Sequence, residues 1–246
     1  MAIVFEVYGS LAMFRRPYTT TSSVSFPIMP PTAAAGLIAA IIGLDNGSDQ
    51  TAAQAQYWEA LQGTQIAIEL LKPVAWFSGT VNFWNVKEPQ KNPHIQVKHQ
   101  FLRQPGYRIH VSGPVELELK TYLEQGYFHY TPYLGTAYAL AQIMYLEEYT
   151  PQKVGDESSS SSLPVSSLIP AGFEADRPVG IELDLEKTQG LFKELLPFQL
   201  DHTRALQKSI QVFYGKESGA KIYLKKWDGL EVSPYAGEYI SWFPAW

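Results

Sequence analysis

The sequence contains no cysteine among its 246 residues. This absence excludes disulfide bonds, thiolate nucleophiles and cysteine-ligated zinc together. Long apolar runs are lacking too, since the run at residues 33–44 has 12 residues and a membrane-spanning helix needs about 20. No basic-then-apolar leader follows Met1. We therefore expect a cytoplasmic protein with no membrane partner.

Motifs that carry common catalytic chemistry are also missing. The sequence has no GxxxxGK[ST] phosphate loop, no GxGxxG after a strand and no GxSxG nucleophile turn. None of the histidines forms a metal-ligand pair of the HxxxH kind; they are His94, His99, His110, His129 and His202. Adjacent glutamates are typical of strand alternation or solvated helix faces. We expect no metal and no cofactor.

The net charge of −5 hides an asymmetry along the chain. Residues 1–110 hold 8 basic and 6 acidic side chains, whereas residues 111–246 hold 11 basic and 18 acidic ones. The window 76–115 is the most basic, with five cations against Glu88 alone. Phosphate binding depends on local charge, so this segment favours a nucleic-acid partner. The alternative is a solvated face with chance clustering.

Residue periodicity predicts the order of elements in the first half. Strands are predicted at 3–7, 65–77, 107–111 and 127–130, and helices from Pro30 or Pro31, at 50–61 and at 115–125. A turn at 132–135 precedes a further predicted helix. The order strand, helix, strand, strand, helix, strand is that of a ferredoxin-like unit.

Small residues recur at helical spacing in the first helix, at Ala33, Gly36 and Ala40. A glycine inside a helix costs about 1 kcal/mol relative to alanine. The sequence therefore predicts a close packing neighbour at Gly36.

Residues 78–104 lose any period, although strand signals lie on both sides of them. This pattern predicts a long β-hairpin at about 77–107 that projects from the sheet as a thumb. Beyond residue 150, a serine run at 158–162 predicts a surface loop, and 210–214 with 222–224 predict a β-hairpin. The predicted fold is α+β, with a ferredoxin-like domain at 1–150 and a smaller β-rich region at 151–246.

Two adjacent arginines are the first candidate ligand site. Arg15 and Arg16 can each fork onto phosphate oxygens, the hydroxyls of Thr19 and Thr20 add donors, and Tyr18 offers a ring for stacking. The alternative is that Arg16 pairs with a carboxylate while Arg15 faces water.

The predicted hairpin combines charge and rings in the same way. Lys98, His99 and Arg103 lie beside Phe101, and Lys91 belongs to the same basic segment. Phe101 itself fits a core position better than a stacking platform, because aromatic side chains usually bury. Two such sites on a ferredoxin-like unit favour single-stranded RNA, an inference from fold analogy.

Three stretches resemble the signature stretches of the CRISPR-associated Cas-five family, part of the RAMP superfamily of modified RNA-recognition folds. They are "YGSLAMFRRPYTTTSSVSFPIMPPTAAAGLIAAIIGL", "HQFLRQPGYRIHV" and "TPYLGTAYALAQI", and they follow in family order between residues 8 and 143. The third stretch adds Tyr133 and Gly135 to the candidate RNA-binding residues.

The resemblance implies a subunit of Cascade, the crRNA-guided surveillance complex. Such a subunit holds the 5′ handle of crRNA and caps one end of the backbone filament. It contacts a backbone subunit and the large subunit that reads the PAM, so target DNA is a further partner within the complex.

One branch of this family cuts repeat RNA, with a tyrosine at the end of the first helix and a Lys-His pair before the second. This chain has Ile42 and Gly113-Pro114 at those positions, and its Lys98-His99 pair falls earlier. We therefore expect a non-catalytic binder. The alternatives are a metal-independent endoribonuclease that uses Lys98 and His99, and a scaffold held by protein contacts through its acidic second half.

Overall fold

The computed structural model describes residues 1–19, 22–47, 54–155, 162–173 and 180–246. It is a mixed α/β structure made mostly of strands. The helices of the described residues are α1 (Pro31–Ile42), α2 (Tyr57–Ala60) and α3 (Glu116–Gln125). The strands are β1 (Ala2–Gly9), β2 (Leu11–Ala12), β3 (Gln65–Leu70), β4 (Trp76–Trp84), β5 (His94–Arg103), β6 (Gly106–Ser112), β7 (Ala141–Tyr149), β8 (Leu163–Val165), β9 (Ile169–Phe173), β10 (Gly180–Leu183), β11 (Leu191–Leu200), β12 (Leu206–Gly215), β13 (Ile222–Asp228), β14 (Val232–Tyr235) and β15 (Glu238–Ser241). Across the described ranges, every helix is too short or too polar to cross a bilayer.

The first half is built on a four-stranded sheet with the order β3-β6-β1-β7. Neighbouring strands are antiparallel, and β1 lies between β6 and β7. Helix α1 follows β1 and helix α3 follows β6. Phe5, Ile68 and Ile109 from the sheet share one core cluster with Ile38 of α1 and Leu119 of α3.

The strand after α3 is not the predicted one. Residues 127–130 are not a strand, and the predicted helix after residue 135 is replaced by β7, an edge strand paired with β1. Pairing with β1 overrides the helical propensity of its alanine and leucine residues. Residues 127–130 instead bind the end of α1, because the N–H groups of His129 and Tyr130 donate to the carbonyls of Ile41 and Ala40.

Two further predicted elements differ from the structure. Only Tyr57–Ala60 of the predicted helix at 50–61 is helical, and residues 48–53 lie outside the described ranges, as does most of the serine run. The predicted hairpin of 210–214 with 222–224 is wrong, since β12 pairs with β11 and β9 while β13 pairs with β10 and β8. Strand β13 belongs to another sheet, where Ile222 and Leu224 join a second core cluster.

An antiparallel hairpin of β4 and β5 occupies most of residues 78–104. Its register runs from Trp76 opposite Leu102 to Trp84 opposite His94. At its base, the other edge of β5 pairs with β2, and Ser23 bridges His99. Most of both strands thus lies in the segment whose sequence shows no hydrophobic periodicity.

The second half forms a five-stranded sheet, β10-β13-β8-β15-β14, and a three-stranded one, β11-β12-β9. Leu196 and Phe198 of β11 and Val212 of β12 belong to the same core cluster as α1. The apolar core therefore continues across residue 150, and the division of the chain at that residue stays a prediction.

A buried polar network connects the first sheet to the second half. His110 is fully buried, with Nε2 2.8 Å from Oε1 of Glu69, while the Tyr149 hydroxyl lies 3.3 Å from Nδ1. Arg108 donates to Glu6 at 2.8 Å and to Glu69 at 3.4 Å, and Ser166 donates to Glu69 at 3.3 Å. A neutral His110 that donates to Glu69 and accepts from Tyr149 satisfies both ring nitrogens.

Burial lowers the pKa of His110, although its hydrogen bond to Glu69 acts in the opposite direction. Burial alone would raise the pKa of Glu69, but the contacts with His110 and Arg108 bring it below its usual value. The folded state therefore favours neutral His110 beside ionised Glu69.

Acid should weaken the fold through this pair. Below pH 6.5, the ordinary pKa of histidine, the unfolded chain binds a proton that buried His110 does not. The free energy of unfolding should then fall by up to about 1.4 kcal/mol per pH unit. Below pH 4.5, the ordinary pKa of glutamate, protonation of Glu69 in the unfolded chain adds to the loss. Urea unfolding between pH 7.5 and pH 4 measures this slope.

His110→Gln should lower stability at pH 7.5 but flatten the slope between pH 7 and pH 5. His202, which is exposed, provides the control, and His202→Gln should keep the wild-type slope. An unchanged slope in His110→Gln would assign the acid sensitivity to other groups.

The expected close neighbour at Gly36 is absent from the described residues. A Cβ atom built on Gly36 meets no heavy atom within 4 Å apart from its chain neighbours and the backbone of its own helix. Gly36 instead faces an open cleft, together with Ala33 and Ala40. The small face of α1 is therefore exposed to this cleft and not used for close packing.

Gly36→Ala should stabilise the protein by about 1 kcal/mol, because alanine favours the helix and its methyl group has room. Urea unfolding with a constant m-value tests this. Gly135→Ala is the contrasting variant: Gly135 has a φ of 83°, and a Cβ there would collide with the Met13 carbonyl. It should destabilise the protein. A loss of stability in Gly36→Ala would mean that a close neighbour exists after all.

Candidate nucleic-acid interface

Arg16 is held by an ion pair within the protein. Its guanidinium donates to both carboxylate oxygens of Glu194 on β11, at 3.0 and 2.7 Å. The two side chains are only 21% and 17% exposed, and the guanidinium lies over the ring of Phe26 at 4.7 Å. A bidentate pair of this kind leaves little of the guanidinium for a ligand. The alternative considered for Arg16, a carboxylate partner, is what the structure has.

Arg15 has the opposite environment. It is exposed, and Nη2 donates to the Thr19 carbonyl at 3.0 Å. The Thr19 hydroxyl donates to the Arg16 carbonyl at 2.9 Å, so it closes the local turn. Tyr18 is 68% exposed and its hydroxyl accepts from Arg16 at 2.6 Å. Thr20 lies outside the described residues. The loop thus presents the Arg15 charge and the Tyr18 ring.

The hairpin candidates divide between its surface and its interior. Lys98 is exposed, and Lys91 lies on the β4–β5 connection with Nζ 3.5 Å from Glu88. His99 and Phe101 are buried, with stacked rings 5.6 Å apart. The expectation that Phe101 is a core residue is confirmed, and the His99 ring lies inside the same aromatic stack.

Arg103 lies apart from the arginine loop, in a pocket of about 450 Å³ at the base of the hairpin. Lys72 lines the same pocket and is exposed, as is Arg103. Among the described residues, neither side chain has a carboxylate partner. Sequence reasoning missed Lys72, because it stands alone between a strand and a proline.

A cleft of about 740 Å³ runs along α1. It brings together three candidates from distant stretches, Arg15, Tyr133 and Gly135, and adds Tyr130 and Arg204. Sequence reasoning missed Arg204, which belongs to the acidic half of the chain. No cluster of three or more histidine, aspartate or glutamate side chains within the described ranges could hold a metal ion. The arrangement suits recognition of an anionic ligand with flat rings.

Comparison with known proteins gives a family and a fold. A protein-family model described as "CRISPR-associated protein (Cas_Cas5)" matches residues 2–169. A chain of a solved "CRISPR RNA-guided surveillance complex" is 10% identical, with a TM-score of 0.54 over 91% of each chain. A "CRISPR protein from Archaeoglobus fulgidus" is 14% identical, with a TM-score of 0.56 over 98% of this chain and 97% of that one. At such identities the likeness shows the fold. No curated protein matches the sequence.

The two adjacent arginines should differ in their effect on stability. Arg16→Ala should lower the free energy of unfolding by about 2 kcal/mol, because it leaves Glu194 largely buried without its partner. Arg15→Ala should change it by less than about 0.5 kcal/mol, as expected of an exposed side chain. Urea unfolding of both variants tests the difference.

A double-mutant cycle with Glu194→Ala isolates the ion pair. The double variant Arg16→Ala/Glu194→Ala should lose less stability than the two single losses added together. Strict additivity would show that the pair contributes nothing.

Proposed function

Because the chain belongs to the CRISPR-associated Cas-five family, with a family match over residues 2–169, we propose that it is an RNA-binding subunit of a crRNA-guided effector complex. Its RNA ligand is the 5′ handle of crRNA. Its role in the complex is structural and not catalytic.

The sheet topology and the β4–β5 hairpin support this proposal. The sheet order β3-β6-β1-β7, with helices after its first and third strands in chain order, is that of a ferredoxin-like domain. The hairpin of β4 and β5 is the thumb. A domain of this kind binds single-stranded RNA with exposed basic and aromatic side chains.

One observation carries the RNA assignment. In a chain of net charge −5, four of the exposed cations that lack a carboxylate partner among the described residues lie pairwise in two concave sites. Arg15 and Arg204 line the cleft along α1, and Lys72 and Arg103 line the pocket at the hairpin base. Unneutralised cations in concave sites favour phosphate groups. Lys91 and Lys98 extend this basic surface along the thumb.

Family membership supports the following place in the complex. The protein caps one end of the crRNA-bound backbone filament. It contacts a backbone subunit and the large subunit that reads the PAM, and so acts near the target DNA. Its location is the cytoplasm. The solved surveillance complex that contains a chain of the same fold is consistent with such an assembly.

The buried state of two residues supports a non-catalytic role. Ile42 belongs to the core cluster, and its side chain offers neither a base nor a cation. His99 is 5% exposed, its Nδ1 is 3.0 Å from the Val97 carbonyl, and its ring is stacked on Phe101. A general base must reach the 2′-hydroxyl of its substrate, which a buried ring does not.

Incubation of the purified chain with labelled repeat RNA in EDTA tests binding and cleavage in one gel. We expect a complex that weakens steeply with salt, without cleavage. Lys72→Gln/Arg103→Gln should lower affinity about tenfold and reduce the salt slope, because two phosphate contacts are lost. Lys225→Gln/Lys226→Gln removes the same number of charges from β13, outside the lining of both sites, and is the control for net charge.

A discrete cut near the boundary of the 5′ handle, abolished by His99→Ala, would instead identify a processing endoribonuclease. Assembly with partner proteins that survives nuclease treatment, with no RNA footprint on this subunit, would identify a scaffold. Either result would overturn the proposal.

A further inference from the structure

The floor of the 740 Å³ cleft consists of the small residues of α1. Ala33, Gly36 and Ala40 lie one helical turn apart and are partly exposed, whereas most of the helix is buried. Gly36 has no heavy atom from outside its own helix within 4 Å of its Cβ position. Short side chains on a rigid helix leave a flat, apolar floor about two turns long.

Tyrosine side chains form the walls. Tyr130 and Tyr133 are 47% and 43% exposed, and Tyr57 lines the inner end and is buried. Two of these residues are fixed by the backbone: the Tyr130 N–H donates to the Ala40 carbonyl, and Tyr133 bridges Leu140. Half-exposed rings beside a flat apolar floor suit a planar aromatic ligand.

Two arginines supply the charge of the cleft. Arg15 lines it with only a bond to the Thr19 carbonyl, and Arg204 has no ion pair within the described part of the chain. Asp45, whose Oδ1 accepts from the Gly47 N–H, is the one acidic side chain among the described lining residues. The described lining of the cleft therefore has a net positive charge.

The backbone of Arg204 is strained, with a φ of 67°. The turn around it is fixed by Asp201, whose Oδ1 accepts from the N–H groups of Thr203 and Ala205 at 2.8 and 3.0 Å. Arginine has no intrinsic preference for this conformation, so the turn imposes it. Its effect is to present a guanidinium at the rim of the cleft.

We propose that this cleft holds an unstacked base of single-stranded RNA, with the ring between the α1 floor and Tyr130 or Tyr133 and the adjoining phosphates on Arg15 and Arg204. The proposal rests on the RNA-binding function proposed above and assigns one site to it. The cleft volume lies within the roughly 300–1,000 Å³ of ligand sites. A nucleotide thus fits, with room for part of its neighbour.

Charge favours RNA over a protein segment as the occupant. An apolar helix or strand in the cleft would bury two guanidinium groups without partners, which is costly. A nucleotide brings phosphates that neutralise them and a ring that fills the apolar floor. The polar side chain of Thr131 at the lining can serve the edge of a base.

The test uses the full chain and single-stranded repeat RNA followed by fluorescence anisotropy. Gly36→Phe fills the floor, and Arg204→Gln removes the charge while keeping a polar side chain. Each should lower RNA affinity about tenfold, and Arg204→Lys should retain most of the affinity. Gly155→Phe is the matched control, because Gly155 also has open space at its Cβ position and does not line the cleft. It should bind as wild type does.

Crosslinking gives a second measurement that does not require the Gly36→Phe variant. RNA that carries 4-thiouridine, irradiated on the wild-type chain, should crosslink to the peptide that contains Tyr130 and Tyr133. Arg204→Gln should weaken these crosslinks. If Gly36→Phe does not fold, the Arg204 variants and the positions of the crosslinks still test the cleft site.

The possible outcomes distinguish the cleft site from the RNA-binding function proposed for the whole protein. Wild-type RNA binding with unchanged affinity in Gly36→Phe and Arg204→Gln, and crosslinks elsewhere, would overturn the cleft site and leave the RNA-binding function standing. Lost assembly with protein partners in Gly36→Phe, at unchanged RNA affinity, would assign the cleft to a protein segment and also overturn it. Absence of RNA binding by the wild-type chain would overturn both.

Discussion

Helix α1 sets the constraint on which the rest of the structure depends, because it is apolar on nearly every side. Eight of its twelve residues are buried, as expected of a helix without a polar face. Phe5 of the first sheet and Leu196 of β11, from the second half, belong to the same core cluster as the buried residues of α1. Residues 127–130 cap its last carbonyls. Where its residues are smallest these layers do not close over it, and the cleft is what remains open.

The need to bury apolar side chains also explains which parts of the fold the sequence predicts. Strand β1, helices α1 and α3 and strand β6 follow from local periodicity, because each has its own pattern of buried residues. The last strand of the first sheet was misplaced, since the alanine and leucine residues of β7 are compatible with a helix when its pairing with β1 is not known. Residues 127–130 have strand-like composition but are used as a cap for α1. Such choices depend on distant neighbours, which a local pattern does not contain.

The residue types of the candidate site were predictable from the sequence. Which of these residues are paired within the protein and which stay exposed was not. Sequence reasoning placed Arg15 and Arg16 together and left open a carboxylate partner for Arg16. It could not identify Glu194, which is 178 residues away. It also missed Arg204, because no motif surrounds it and its turn is made by Asp201. The prediction of a tight neighbour at Gly36 was wrong for a related reason: a small residue is compatible both with close packing and with an open floor, and only the surrounding layers distinguish the two.

Under the proposed function, adjacent residues of one loop serve stability and ligand recognition. Arg16 connects the loop to β11 by a largely desolvated ion pair, so its removal affects the walls of the cleft as well as the fold. Arg15 keeps its charge exposed beside the same cleft. Replacing both arginines together would therefore mix a folding defect with a binding defect. Because the Glu194 pair fixes the loop, Arg15 is presented from a rigid base, and a rigid base lowers the entropy lost when a ligand binds. Under the proposed function, the Arg16–Glu194 pair thus positions Arg15 for contact with the ligand.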